Sequence, residues 1–189
     1  MIALRCLPLL MLVAAAQGPS GRTRYLIDPA GSDVAAKVAF FGISSKTAHF
    51  PRMSGSIALD KADPRSIELA IELDARALTA PDPVTLTRLR GDKFFWVERY
   101  PTVVFKGDRL MLASPTGGIV EGSITARGVT RPATLAVTFS PAPAQVSGRE
   151  PLTVTATTTI NRRAFGMTSY PAIVGRKVSI TVRARMVPS

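Results

Sequence analysis

The sequence predicts an all-β protein built from antiparallel strands. Period two dominates the apolar pattern, a single stretch reads as helical, and turn residues separate the alternating runs. In the cleanest run Ile67, Leu69, Ile71 and Leu73 alternate with Glu68, Ala70, Glu72 and Asp74, as in a strand with one buried face. About eight or nine such strands must close on themselves or pair as two sheets, because an open sheet leaves unpaired edges. Alternation alone does not choose between a barrel and a sandwich.

Taken in order, the chain begins with a segment that is not part of the fold. Residues 1–16 carry one positive charge at Arg5, an apolar run from Leu7 to Val13, and Ala14-Ala15-Ala16. That pattern predicts a cleaved secretory signal, hence export to the periplasm, and the run is too short to span a bilayer. Cys6 is the only cysteine and lies inside this segment without a lipoprotein pattern, so the remaining 173 of 189 residues are expected to hold no thiol and no disulfide. A flexible N-terminus is expected over 17–23 and one domain over 24–187, long enough to need no covalent staple.

Strands follow. Val34, Ala36, Val38 and Phe40 share one face; further strands are predicted at Ser56–Leu59, Thr102–Phe105, Gly118–Thr125, Thr134–Phe139, Leu152–Ile160 and Val178–Met186. Val120 and Ile124 lead into a turn at Gly128, and Leu135, Val137 and Phe139 return from it, so this unit is a hairpin. Pro83 to Tyr100 fits a short helical segment, stopped by Pro101. Asp63-Pro64, Gly117-Gly118 and the Pro-rich Ser140–Ala144 supply turns.

The chain has 24 Lys and Arg against 13 Asp and Glu, a net charge of +11, and loss of Arg5 with the signal lowers this by one. The basic residues are dispersed, with no run and no basic helix. This points to a solvated surface rather than a nucleic-acid site and leaves open peripheral contact with an anionic membrane. No nucleophile, base and orienting group gather anywhere, so no catalysis and no cofactor are expected. His49 is the only histidine, and a zinc site of ordinary type needs more His or Cys, so no metal is expected. Glu68, Glu72 and Asp74 share the solvent face of one strand. Asn161, the only asparagine, is expected to bond loop backbone at a strand end.

Several motifs carry a resemblance. Tyr25-Leu26-Ile27-Asp28-Pro29 with Ser32, Val34 and Val38, Phe94-Phe95 with Tyr100-Pro101 and Phe105, Gly122 to Pro132 with Gly-Val-Thr-Arg-Pro, and Ile160-Asn161-Arg162 with Phe165-Gly166-Met167 and Val174-Gly175 together resemble the YceI-like family. That family comprises lipocalin-like polyisoprenoid-binding proteins. The resemblance implies an extended antiparallel eight-stranded barrel, periplasmic, whose apolar tunnel takes the tail of a polyprenyl phosphate or isoprenoid quinone without catalysis. Three positions depart from the family, with Gly31, Phe40 and Arg88 standing where it usually has histidine. Ala36 replaces a usually large apolar residue.

On that reading the tunnel lining is expected from Val38, Phe40, Phe50, Phe94, Phe95, Trp96, Phe105, Phe139, Phe165 and Met167. Arg88, Arg127, Arg131 and Arg162 are the candidates for meeting a polar or anionic head. The expected partner is an isoprenoid lipid, with a homodimer left open. Two other classes compete: a structural or adhesion β-sandwich with a filled core, and a hydrolase using His49 with a nearby carboxylate.

Overall fold

Among the described residues the chain forms nine strands, eight of them from its apolar runs: β1 (Arg22–Phe40), β2 (Ser44–His49), β3 (Met53–Asp60), β4 (Ser66–Asp74), β5 (Thr102–Leu112), β6 (Gly117–Ala126), β7 (Val129–Ser140), β8 (Leu152–Asn161) and β9 (Val174–Pro188). The computed structural model describes residues 22–189 except 61, 62 and 64. The expected signal segment, 1–16, lies outside the described residues. β3 to β9 pair in sequence, all antiparallel, and β9 pairs back onto β1 from Tyr25↔Pro188 to Phe40↔Val174. That last ladder closes the sheet into a barrel and removes its edges.

β1 is long enough to need two partners on its other side. Its first residues pair with β3 (Arg22↔Asp60 to Leu26↔Ser56), its last with β2 (Ala35↔His49 to Phe40↔Ser44). β2 is therefore the extra strand, and the ring is the expected eight. The barrel begins earlier than expected. Arg22 and Thr23, assigned to a flexible N-terminus, already pair with Asp60 and Leu59, and Arg22 also ion-pairs with Asp60 (3.6 Å) and Glu68.

The helical stretch is shorter than the sequence suggested. α1 spans Pro83–Arg90, capped by Asp82, whose carboxylate accepts from the Thr85 amide at 2.8 Å. Gly91 ends it, and 91–100 runs through turns in which Trp96 takes φ 50°. The hairpin β6–β7 closes with Arg127 and Gly128 at φ 50° and 71°, the left-handed pair that a tight two-residue turn requires. A Cβ on Gly128 would also sit 2.9 Å from the Tyr100 ring.

The two ends of the barrel differ. Around the start of β1 and the end of β9, Tyr25, Ile57, Leu110, Val120, Leu152 and Met186 are all at most 1% exposed and fill the interior. At the other end lie the β1–β2 turn, the β4–β5 connection carrying α1, the β6–β7 turn, and the β8–β9 connection, whose short 3₁₀ turn covers Arg162–Phe165. We expect the filled end to carry the stability. Leu110→Ala, at 1% exposure, should cost about 2–5 kcal/mol in chemical denaturation, whereas Met111→Ala, 41% exposed at the next position of the same strand, should cost well under about 1 kcal/mol. Equal losses at the two positions would contradict the inward–outward assignment.

Candidate functional site

Towards the end opposite the filled core, inward residues become smaller, and two adjoining cavities open. The inner one, about 110 Å³, is walled by apolar side chains including Val34, Phe50, Ile71, Leu73, Phe105, Ile180 and Val182. Thr158 and Arg162 are the polar side chains in its wall. The outer one, about 340 Å³, lies within the size range of small-molecule sites. It is walled by Val38, Phe40, Phe41, Leu89, Phe94 and Ile173 among others, with Lys46, Thr47, Thr85, Arg88 and Tyr170 as its further polar members. Ala36, Phe95, Arg162, Met167 and Val178 belong to both walls. Polarity thus rises from the inner chamber to the outer, and the filled far end makes the space blind.

Of the residues singled out from sequence, Val38, Phe40, Phe50, Phe94, Phe95, Phe105 and Met167 line these chambers. Three do not. Phe139 and Phe165, each 2% exposed, are in the packed core. Trp96 sits on the outer turn, edge-on to Tyr100 at 5.8 Å with the Arg99 guanidinium 4.9 Å over its ring. Alternation tells which face a side chain occupies; it does not tell whether its level along the barrel axis is filled or hollow.

The four arginines also divide. Arg127 donates to the Gly166 carbonyl at 3.0 Å and Arg131 to the Ala164 carbonyl at 3.1 Å, so both brace the β6–β7 hairpin against the β8–β9 connection. Neither lines a chamber. Arg88 lines the outer one, its guanidinium 5.6 Å from the centroid of Tyr170.

Arg162 is the exceptional case. It is 3% exposed, and it donates to the carbonyls of Gly175 (2.8 Å), Val174 (2.8 Å) and Met167. Among the described residues no carboxylate pairs with it. Burial, and secondarily the neighbouring Arg163 charge, push its pKa below the usual guanidinium value, yet a guanidinium keeps its proton at neutral pH. The positive charge is therefore held between both chambers by backbone dipoles alone, a costly arrangement unless something electron-rich lies against it. Part of that need is met by Phe94, 5.9 Å away, which stacks on Tyr170 at 6.0 Å.

Local chemistry explains these positions. Asn161 accepts from the Arg163 amide at 3.1 Å and starts the 3₁₀ turn, as its place at a strand end predicts, and Gly166 ends it in the left-handed region at φ 77°. Lys46 and Tyr170, both in the outer wall, were not found from sequence. The first sits in a polar strand and the second in a loop, where no periodicity marks them.

The competing sites lack a chamber. His49 Nδ1 lies 3.0 Å from an Asp33 carboxylate oxygen, but both side chains are about half exposed and line neither cavity. Among the described residues no group of three or more His, Cys, Asp or Glu is placed to hold a metal.

Fold and chambers define a closed β-barrel with a one-ended apolar interior. The chain belongs to the YceI-like family, its residues 25–186 matching the YceI-like domain. A UPF0312 protein of Pseudomonas putida is 26% identical over 152 residues, covering 79% of each chain. The crystal structure of Burkholderia cenocepacia BcnA superposes with a TM-score of 0.74 at 21% identity, over 84% of this chain and 98% of that one. A polyisoprenoid-binding domain from Saccharophagus degradans gives 0.64 at 14% identity, over 87% and 98%. The resemblance seen in sequence thus holds, and the closed barrel replaces the sandwich alternative.

The mouth depends on Asp82, which accepts from Lys46 Nζ at 2.8 Å as well as from Thr85. Lys46, then Thr85, hold its carboxyl well below the ordinary value of 3.8. A depressed folded-state pKa means that the stabilisation is present above that ordinary value and lost as pH falls towards the lower one. The protection factor of the Thr85 amide, its exchange rate relative to the free peptide at the same pH, should therefore be high at neutral pH and fall only well below pH 3.8; in Asp82→Ala it should be low throughout. Matching profiles in the two proteins would dissociate Asp82 from the cap.

Proposed function

We propose that this protein is a periplasmic carrier for an isoprenoid lipid, holding the tail in the blind apolar space with the head at the outer chamber, and performing no covalent chemistry. The observation that carries this reading is the gradient of the lining: apolar walls deep in the barrel, and Lys46, Arg88, Arg162 and Tyr170 where it opens. A prenyl tail needs length and apolar walls, and each methylene withdrawn from water contributes about 0.8 kcal/mol. The likeness to a polyisoprenoid-binding domain supports the same ligand class. Export to the periplasm rests on the signal-like segment 1–16.

The head is read by charge. Arg162 offers a buried cation without a carboxylate partner, and Arg88, with the Asp82-paired Lys46, adds positive charge nearer solvent, so a phosphate or, more weakly, a quinone carbonyl oxygen complements the site. Phe40 and Arg88 occupy two of the positions at which the family resemblance led us to expect histidine. The rim therefore offers an aromatic face and a guanidinium where imidazoles were expected.

Native mass spectrometry of delipidated protein mixed with a polyprenyl phosphate or an isoprenoid quinone tests this. One lipid per chain is expected. Ala36→Trp, which fills the wall shared by both chambers, should weaken binding at least tenfold, about 1.4 kcal/mol, while the barrel stays folded by circular dichroism. Undiminished binding in that variant would place the ligand elsewhere. Arg88→Ala should weaken the phosphate-headed lipid more than the quinone; equal losses would remove Arg88 from head recognition.

A further inference from the structure

The turn that joins β1 to β2 breaks the usual chemistry of turns. Phe40-Phe41-Gly42-Ile43 puts three large apolar side chains where polar residues and glycine are the rule. Ile43 is 94% exposed and Phe41 58%. This tip is fixed in place: Phe41 stands at φ 53°, its amide donates to the Ile173 carbonyl at 2.8 Å, and its ring meets Phe40 edge-on at 4.7 Å. A bulky residue in the left-handed region is an outlier that surrounding contacts must impose. Val84, 60% exposed in the first turn of α1, belongs to the same end of the barrel, because Asp82 ties the start of that helix to Lys46 on β2.

The charge surrounding these apolar residues is one-sided. The connections 75–101, 127–128 and 162–173 at this end carry eight Lys and Arg against Asp82, Asp92 and Glu98; of these, Arg162 is buried, Arg76 is paired with Asp74, and Asp82 is paired with Lys46. Exposed Arg176 and Lys177 at the start of β9 add to it. At the filled end, 61–65 carries Lys61 and Arg65 against Asp63, and 141–151 carries Arg149 against Glu150, a net +1 in sequence, so the larger basic excess lies around the mouth. Protruding apolar residues inside a basic rim are the recognised elements of peripheral attachment to anionic bilayers, the first burying area among acyl chains and the second meeting headgroup phosphates.

We propose that the open end docks on a bilayer containing anionic phospholipids, with Phe41, Ile43 and Val84 entering the headgroup layer and the basic rim lying on the phosphates. Phe41 also lines the outer chamber, so the docked mouth faces the acyl layer directly and a prenyl lipid passes between membrane and barrel without crossing water. The docking stands on the tip and the rim; its purpose, lipid exchange, rests on the carrier reading above.

Purified protein is to be sedimented with vesicles of phosphatidylcholine alone or mixed with phosphatidylglycerol. We expect binding to the mixed vesicles, little to phosphatidylcholine, and release as salt screens the rim. Ile43→Ser/Val84→Ser changes two exposed side chains outside both chamber walls and should lower affinity for the mixed vesicles about tenfold or more. An environment-sensitive dye on Ile43→Cys should shift to the blue on the same vesicles.

Unchanged vesicle binding by the double variant, a dye that stays in water, or no binding by the native protein would each overturn the proposal. So would self-association that the double variant abolishes without any vesicle binding, since the tip would then belong to a second copy. Uptake of a prenyl lipid from detergent micelles, measured separately, isolates the carrier reading: vesicle binding without uptake would sink the carrier and leave the docking, and uptake without vesicle binding the reverse.

Discussion

Closure of β1 onto β9 is the constraint from which the rest follows. Among the described residues β1 is the only strand that pairs with three others, holding β9 along one side and β2 and β3 along the other. Its ladder with β9 shifts register between Asp28 and Asp33, where the chain bulges at Pro29–Ser32. Beyond that bulge β1 turns Val34, Ala36, Val38 and Phe40 inward, and all four line the chambers. Without the closing ladder there would be two exposed edges and no enclosed space.

Side-chain size then decides which part of that space is hollow. Tyr25, Ile57, Leu110, Leu152 and Met186 crowd one half, whereas in the other the paired, shorter side chains Ala36, Val38, Val178 and Ile180 on β1 and β9 leave the interior open as chamber wall. The same strands thus supply a solid base and an open top. Packed core and hollow are separated along one axis, which lets the rim hold a buried Arg162 without a carboxylate partner and without sacrificing the core. Backbone carbonyls of Met167 in the β8–β9 connection and of Val174 and Gly175 at the start of β9 take its donors, so the cost of that charge is carried locally at the rim.

Much of this architecture was legible beforehand. Strict alternation in Ile67–Leu73 and Val178–Met186 identified buried faces, and the hairpin around Gly128 was readable from its flanking runs. β2 was not, because Ser44-Ser45-Lys46-Thr47-Ala48-His49 contains no apolar alternation and is held by its neighbours, β1 above all. The helix was overextended because an apolar stretch such as Phe94-Phe95-Trp96 reads the same in a helix and in a run of turns, and only the backbone at Trp96 tells them apart. The site was readable as a set of aromatics but not as a place. Phe139 and Phe40 have the same chemistry on inward faces, and only their level in the barrel makes one packing and the other wall. Arg162 was singled out with three other arginines, but nothing in the sequence marked it as the buried one, since an arginine beside a strand end is ordinarily a surface residue.

A pocket closed at the base has a further consequence for traffic. On the carrier reading proposed above, a guest threads in only one direction, hydrocarbon leading, and withdraws in reverse, so its polar terminus is always the part on offer to the outside. Handover to another host begins at that terminus while the chain is still sheathed. Any guest longer than the hollow leaves its surplus at the doorway instead of emerging through the far side.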